Sequence, residues 1–154
     1  MLAARAAAAA ANAHCPYSNY PVGAAVLADG GAIADVDGAV FVGCNVENAS
    51  YGLTVCAERN AVFAAIAAGA KRIKAVAIAA GSAEATATPC GACRQVLAEF
   101  CAPDAPVFCA APDGGIILET TVGALLPAAF ALKNNFRQIG KKARKKCPKI
   151  LTFQ

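Results

Sequence analysis

Cys56-Ala57-Glu58-Arg59, read together with Pro89-Cys90-Gly91-Ala92-Cys93-Arg94-Gln95, decides how this chain is organised. Cys90 and Cys93 stand at the i, i+3 spacing that places two side chains on one face of a helix. Pro89 suits a helix entry, and Val96, Leu97 and Phe100 continue the helical period. Cys56 opens an alanine-rich run, Ala57 to Ala68, that reads as a second, buried helix. All three sulfurs then lie at helix N-termini, whose positive ends favour thiolate, the form that binds metal. Three cysteine ligands leave one tetrahedral position of a zinc ion open for water, as a catalytic site needs and a structural site does not. Glu58, two residues after the first candidate ligand, is placed to handle protons next to that water. Three thiolates leave a zinc site with net negative charge. Arg59 and Arg94, each adjacent to the ligands in sequence, are candidates to hydrogen-bond the sulfurs and offset it.

Outward from these segments, helical and extended patterns alternate. Residues 2–13 read as a helix. Gly23 to Ala28 and Ala39 to Cys44 read as short strands, with Asp29-Gly30-Gly31 and Asp35-Val36-Asp37-Gly38 as turn chemistry between them. The helix from Cys56 to Ala68 ends at Gly69, a fitting C-terminal glycine. Lys74 to Ala80 is a nearly continuous apolar run, as in a sheet covered on both faces. After the helix from Pro89 to Phe100 come strands at Pro106 to Ala110 and Gly115 to Leu118, joined by Pro112-Asp113-Gly114. A last short helix covers Val122 to Leu126. The pattern predicts an α/β chain, a three-layer α/β/α sandwich on a mixed sheet of about five strands.

A chain of 154 residues is one domain by length. Hydrophobic residues make up 58% of it, with alanine dominant, and no apolar run reaches the ~18 residues that a membrane span needs. Residues 1–13 hold Arg5 and an alanine run but only one leucine, Leu2, and His14-Cys15-Pro16-Tyr17 is a poor cleavage site for a signal peptide. Among eight cysteines, the C-x-x-C pair points to metal rather than a disulfide framework, and hence to a reducing, cytoplasmic compartment. The net charge of +4 conceals an asymmetry: from Lys133 onward there are eight basic residues and no acid, so residues 1–132 carry −4. The body is therefore no nucleic-acid surface by charge. Residues 133–154 read as a basic, partly disordered extension of a catalytic domain at 1–132, able at most to touch a nucleic acid weakly.

With these motifs in order, the chain resembles cytidine deaminase in its small homotetrameric, three-cysteine form. The matching stretches are Tyr20-Pro21-Val22-Gly23-Ala24-Ala25, Gly43-Cys44-Asn45-Val46-Glu47-Asn48-Ala49-Ser50-Tyr51-Gly52, the two cysteine segments, and Leu125-Leu126-Pro127. The resemblance implies one zinc per chain on Cys56, Cys90 and Cys93. It implies deamination of cytidine and 2′-deoxycytidine to uridine and 2′-deoxyuridine in pyrimidine salvage. Glu58 would move protons from water to N3 of the pyrimidine and then to the departing amino group. Asn45 and Glu47 match residues that bind the ribose 3′-hydroxyl. Tyr20 stands where phenylalanine is usual and can still flank the base, and Ala57 falls at a substrate-contact position. Tyr51 and Phe130 match positions that complete the sites of neighbouring subunits in a homotetramer.

Two departures stand out: a longer segment from Asp29 to Val40 and the basic extension. Three other readings compete with this one. They are deamination of a cytosine nucleoside antibiotic, polynucleotide editing, and a structural zinc module that binds RNA through its tail. Asn45-Val46-Glu47-Asn48, the 3′-hydroxyl contact and the three-ligand count with Glu58 argue against them in turn. Cys44, a conceivable fourth ligand, reads better as a strand-end core cysteine. The lone His14 reads as a surface or capping residue.

Overall fold

The computed structural model describes residues 2–29, 38–82 and 85–132. In chain order the elements are α1 (Leu2–Ala10), β1 (Gly23–Ala28), β2 (Ala39–Cys44), a 3₁₀ turn (Tyr51–Leu53), α2 (Ala57–Ala67) and β3 (Ile73–Ala79). A two-stranded ribbon follows, β4 (Gly81–Ser82) and β5 (Ala85–Thr86). Then come α3 (Gly91–Phe100), β6 (Pro106–Ala110), β7 (Ile116–Thr121) and α4 (Val122–Leu125). The five long strands form one sheet in the order β2-β1-β3-β6-β7. It is mixed: β3 and β6 run parallel, with Val76 opposite Val107, and the other pairs are antiparallel, with Gly23 opposite Cys44.

The two-residue period of the strands sorts their side chains into two layers. Ala24, Val26 and Ala28 of β1, with Val76 and Ile78 of β3, join Val62 and Ala65 of α2 and Leu97 of α3 in the larger core. Ala25, Ala77, Ala79 and Ala110 face the other way and meet Ala3 and Ala6 of α1. Helices therefore cover both faces, the expected three-layer α/β/α arrangement, and β3 is buried everywhere but at Lys74. The α1 layer lies very close to the sheet. A Cβ on Gly23 would run into the Ala6 carbonyl oxygen and the Ala10 amide.

Boundaries differ from the pattern in physically simple ways. The first helix stops at Ala10, because the amides of Ala11, Asn12 and Ala13 turn to carbonyls three residues back. Both metal-segment helices start after their first cysteine, so Cys56 and Cys90 are N-caps. Helix α2 closes on a Schellman pair, Gly69 N–H to Ile66 O and Ala70 N–H to Ala65 O, with Gly69 at φ 92°. Strand β7 extends to Thr121, whose hydroxyl then accepts from Ala124 N–H and caps α4. Neither the β4–β5 ribbon nor the 3₁₀ turn had a sequence signal strong enough to read. The expectations for a long loop at 30–37 and for the extension at 133–154 lie outside the described residues. Among the described residues no helix is long and apolar enough to cross a membrane.

Candidate active site

Two helix starts converge beneath the sheet end. Gly43 allows β2 to meet α2 closely: its absent Cβ leaves the space that Ala57 O and Ala61 N–H border at 2.7 and 2.5 Å. Asn60 of α2 donates back to the Cys44 carbonyl at 2.9 Å. Helix α2 is thus fixed against β2, and its N-cap Cys56 faces α3. The Cys56 and Cys90 sulfurs lie 3.9 Å apart and those of Cys90 and Cys93 3.6 Å apart. All three fall within 4.8 Å of one another. A tetrahedral zinc with Zn–S bonds of ~2.3 Å separates its sulfurs by about 3.8 Å. The triad fits such an ion, and no fourth protein donor joins it among the described residues. Cys44 in particular is occupied elsewhere, its thiol donating to the Asn12 carbonyl at 3.2 Å. His14 also stands apart from the group.

The electrostatics agree with metal binding. The Cys56 thiol is lowered to about 5, first by a hydrogen bond with Cys93 and further by Arg59 and Cys90, against the cost of burial. Cys93 is pushed the other way, chiefly because it holds the proton of that same hydrogen bond, and then by burial. The pair releases one proton readily and keeps the other until a cation replaces it. Arg59 donates to the Cys56 sulfur at 3.6 Å and to the Thr54 carbonyl at 3.0 Å. Its buried Nε has no hydrogen-bond partner, so the sulfur charges are what compensate this guanidinium.

Arg94 departs from the expectation of charge offset through the sulfurs. Its Nε donates to Pro89 O at 2.7 Å, Nη1 to Leu125 O at 3.1 Å and Nη2 to Thr88 Oγ1 at 3.1 Å. Those three acceptors take up the guanidinium, and it donates to no sulfur among the described residues. Arg94 braces the backbone that leads into Cys90.

Beside the triad opens a cavity of about 420 Å³ whose lining includes Cys56, Glu58 and Cys90 together with Tyr20, Asn45, Glu47 and the hydroxyl residues Ser18, Thr54 and Thr88. Glu58 is only 5% exposed. Burial raises its carboxyl pKa first; its own backbone N–H opposes this, and the Cys56 charge adds to the rise. A rise of this kind moves a carboxyl toward the role of a group that both accepts and returns a proton. Asn45 bridges the chain entering β1, accepting from Val22 N–H at 2.8 Å and donating to Tyr20 O at 3.0 Å. Glu47 accepts from the amides of Tyr17 and Ser18 at 3.0 and 3.2 Å. The Ser18 hydroxyl first, and those amides next, hold its carboxyl below the usual range.

The other expected contacts sit farther out. The side chain of Ala57 is fully buried, so any contact it makes to a ligand runs through its backbone. Tyr51 packs edge-on against Tyr17, with ring centroids 5.5 Å apart, and lines an adjoining cavity of about 350 Å³ that shares Ser18, Glu47 and Thr54. Phe130 lines neither cavity. Thr54 and Ser18 were missed in the sequence. Thr54 acts through its carbonyl toward Arg59 and its hydroxyl toward Asn48, and Ser18 meets Glu47 from 29 residues away, contacts for which a sequence has no signature.

Residues 1–109 match the model of the cytidine and deoxycytidylate deaminase zinc-binding region. This chain belongs to the cytidine and deoxycytidylate deaminase family. Within it, the chain is 49% identical to a cytidine deaminase of Sporosarcina psychrophila over 119 residues, 77% of this chain and 81% of the relative. It is 45% identical to a cytidine deaminase of Halalkalibacterium halodurans over 134 residues, 87% and 95% of the two chains. The fold superposes on the crystal structure of the Burkholderia pseudomallei cytidine deaminase with TM-score 0.73 at 45% identity, covering 84% of this chain and 96% of that one. The family is zinc-binding, and Cys56, Cys90 and Cys93 are the residues positioned to hold the ion.

Proposed function

We propose that this chain is a hydrolytic deaminase converting cytidine to uridine and 2′-deoxycytidine to 2′-deoxyuridine, with release of ammonia, in pyrimidine salvage. The observation that carries the reading is the buried Glu58 beside a zinc-spaced thiol triad, lining one cavity together with Asn45 and Glu47. When bound on Cys56, Cys90 and Cys93, zinc lowers the pKa of a coordinated water and so supplies a nucleophile at neutral pH.

The chain's own residues do the rest. Glu58 takes a proton from the water and gives it to ring N3 as the C4–O bond forms. It then takes the proton of the new C4 hydroxyl and gives it to the amino group; the C4–N bond breaks as the C4 carbonyl forms, and ammonia leaves. A single carboxylate can serve each transfer because Glu58 lines the same cavity as the thiol triad, and burial raises its pKa toward that of a group that exchanges protons. Glu47 accepts from a ribose hydroxyl, and Asn45 holds the Tyr20–Val22 strand entry against which the base lies. Arg59 offsets the sulfur charge. No Lys or Arg is among the residues lining the cavity, and the Glu47 carboxylate is ionised, which favours a neutral nucleoside over a phosphorylated one.

The proposal extends to a cytoplasmic homotetramer with shared sites. Tyr51 and Phe130, 71% and 68% exposed, have little cover within the chain and suit contact with another copy. Ultraviolet assays on cytidine, deoxycytidine, CMP and free cytosine, with zinc per chain measured in parallel, test the reading. Turnover of the two nucleosides at one zinc per chain is expected. Zinc-loaded, folded protein inert on both would overturn it.

A further inference from the structure

Phe130 is held in an unusual way. Its ring belongs to neither buried cluster. What tethers it is polar: Gln95 Nε2 donates to the Phe130 carbonyl at 2.8 Å, the one hydrogen bond Phe130 makes among the described residues. Five residues earlier, Arg94 donates to the Leu125 carbonyl. Consecutive residues of α3 therefore grip both ends of the segment 125–130. The same helix carries Cys93 one and two residues before them, and its N-cap is Cys90. Gln95 is not among the residues lining the active-site cavity.

We propose that Gln95 is a positioning residue: it sets the stance of Phe130 from the metal-bearing helix and tunes substrate affinity without touching substrate. The inference rests on the reading of Phe130 as a substrate contact. It follows because the ring, 68% exposed and outside both buried clusters, gains little orientation from its own chain's packing, so its stance is inherited from the backbone, which is fixed at one polar point. Packing of α3 against the core supplies the rigidity, and the Gln95 amide transmits it.

The test compares wild type, Gln95→Met (similar length, no donor), Gln95→Lys (donor kept), Phe130→Ala and the Gln95→Met/Phe130→Ala double variant. Zinc content, kcat and KM for cytidine, and hydrogen exchange of residues 126–132 are measured for each. Loss of one hydrogen bond should speed exchange of 126–132 and raise KM, each by about 2-fold to 10-fold, with zinc content intact and kcat little changed. Gln95→Lys should recover part of both. In the Phe130→Ala background, Gln95→Met should add nothing further to KM, since the two act as one unit.

Unchanged exchange in Gln95→Met overturns the proposal, as does a KM rise that persists undiminished without Phe130. Phe130→Ala with normal KM removes the premise and the proposal with it. That failure is recognisable, because exchange of 126–132 would still quicken in Gln95→Met. If Gln95→Met does not fold, Gln95→Glu replaces it as the donor-free variant.

Discussion

At Glu58, burial and the neighbouring Cys56 charge both favour the protonated carboxyl. Glu58→Gln keeps the shape and removes the proton traffic. Turnover should fall by ~10²-fold to 10⁴-fold with zinc retained; near-normal turnover would assign the proton carrier elsewhere, and zinc loss would make Glu58 a ligand. Glu47 is shifted the opposite way, because its ionised form accepts from Ser18 and Tyr17. A lowered carboxyl stabilises its contacts above the unfolded value of about 4.3 and loses them as pH falls through its own lower value. The amide resonances of Tyr17 and Ser18 should therefore titrate with a midpoint below 4.3, and a midpoint at or above it would contradict the bond. The thiol triad and Glu58 were legible in the sequence, since ligand count and helical spacing are both local. The destinations of Arg94 and Gln95 were not. Leu125 and Phe130 lie 31 and 35 residues away, and only the folded chain brings their carbonyls within reach.

Among the elements, α2 matters most to the site, since it carries Glu58 and is capped by Cys56. Its seat on β2 depends on Gly43. Gly43→Ala would press a methyl into backbone atoms of Ala57 and Ala61 that have no side-chain freedom to yield. Overpacking of this kind costs about 1–3 kcal/mol. The denaturant midpoint should drop with an unchanged m-value, and zinc affinity should fall with it as Cys56 is displaced. Gly52→Ala, with nothing within 4 Å of the new methyl, should change neither, and equal damage from both variants would count against this seating. Most elements were readable because apolar period and turn residues agree along the chain. The 3₁₀ turn at Tyr51–Leu53 was not. Its residues are largely exposed and it is closed by Leu53 N–H to Ser50 O, a bond with no hydrophobic period behind it.

At the scale of the whole molecule, exposed aromatic surface and charge asymmetry point to separate roles for body and extension. If Tyr51 and Phe130 complete other copies' sites, light scattering should give the mass of four chains, as a D2 tetramer, a common closed arrangement, would have. A fully active monomer would contradict that. Removing residues from Gly140 onward should leave turnover, zinc content and that mass unchanged, because every proposed site residue precedes the cut. Dissociation into inactive subunits would mean that the extension packs on the body. The alanine layer between α1 and the sheet carries a different kind of consequence. With Ala3, Ala6, Ala25, Ala77 and Ala79 in contact and Gly23 under the helix backbone, hardly any side-chain volume remains to delete at its centre, the larger Leu2, Val40 and Phe108 being only partly buried against it. Deep mutational profiles of this layer should be one-sided: serine and glycine survive, every bulkier residue is depleted, and diversification here can proceed only among the smallest members of the alphabet.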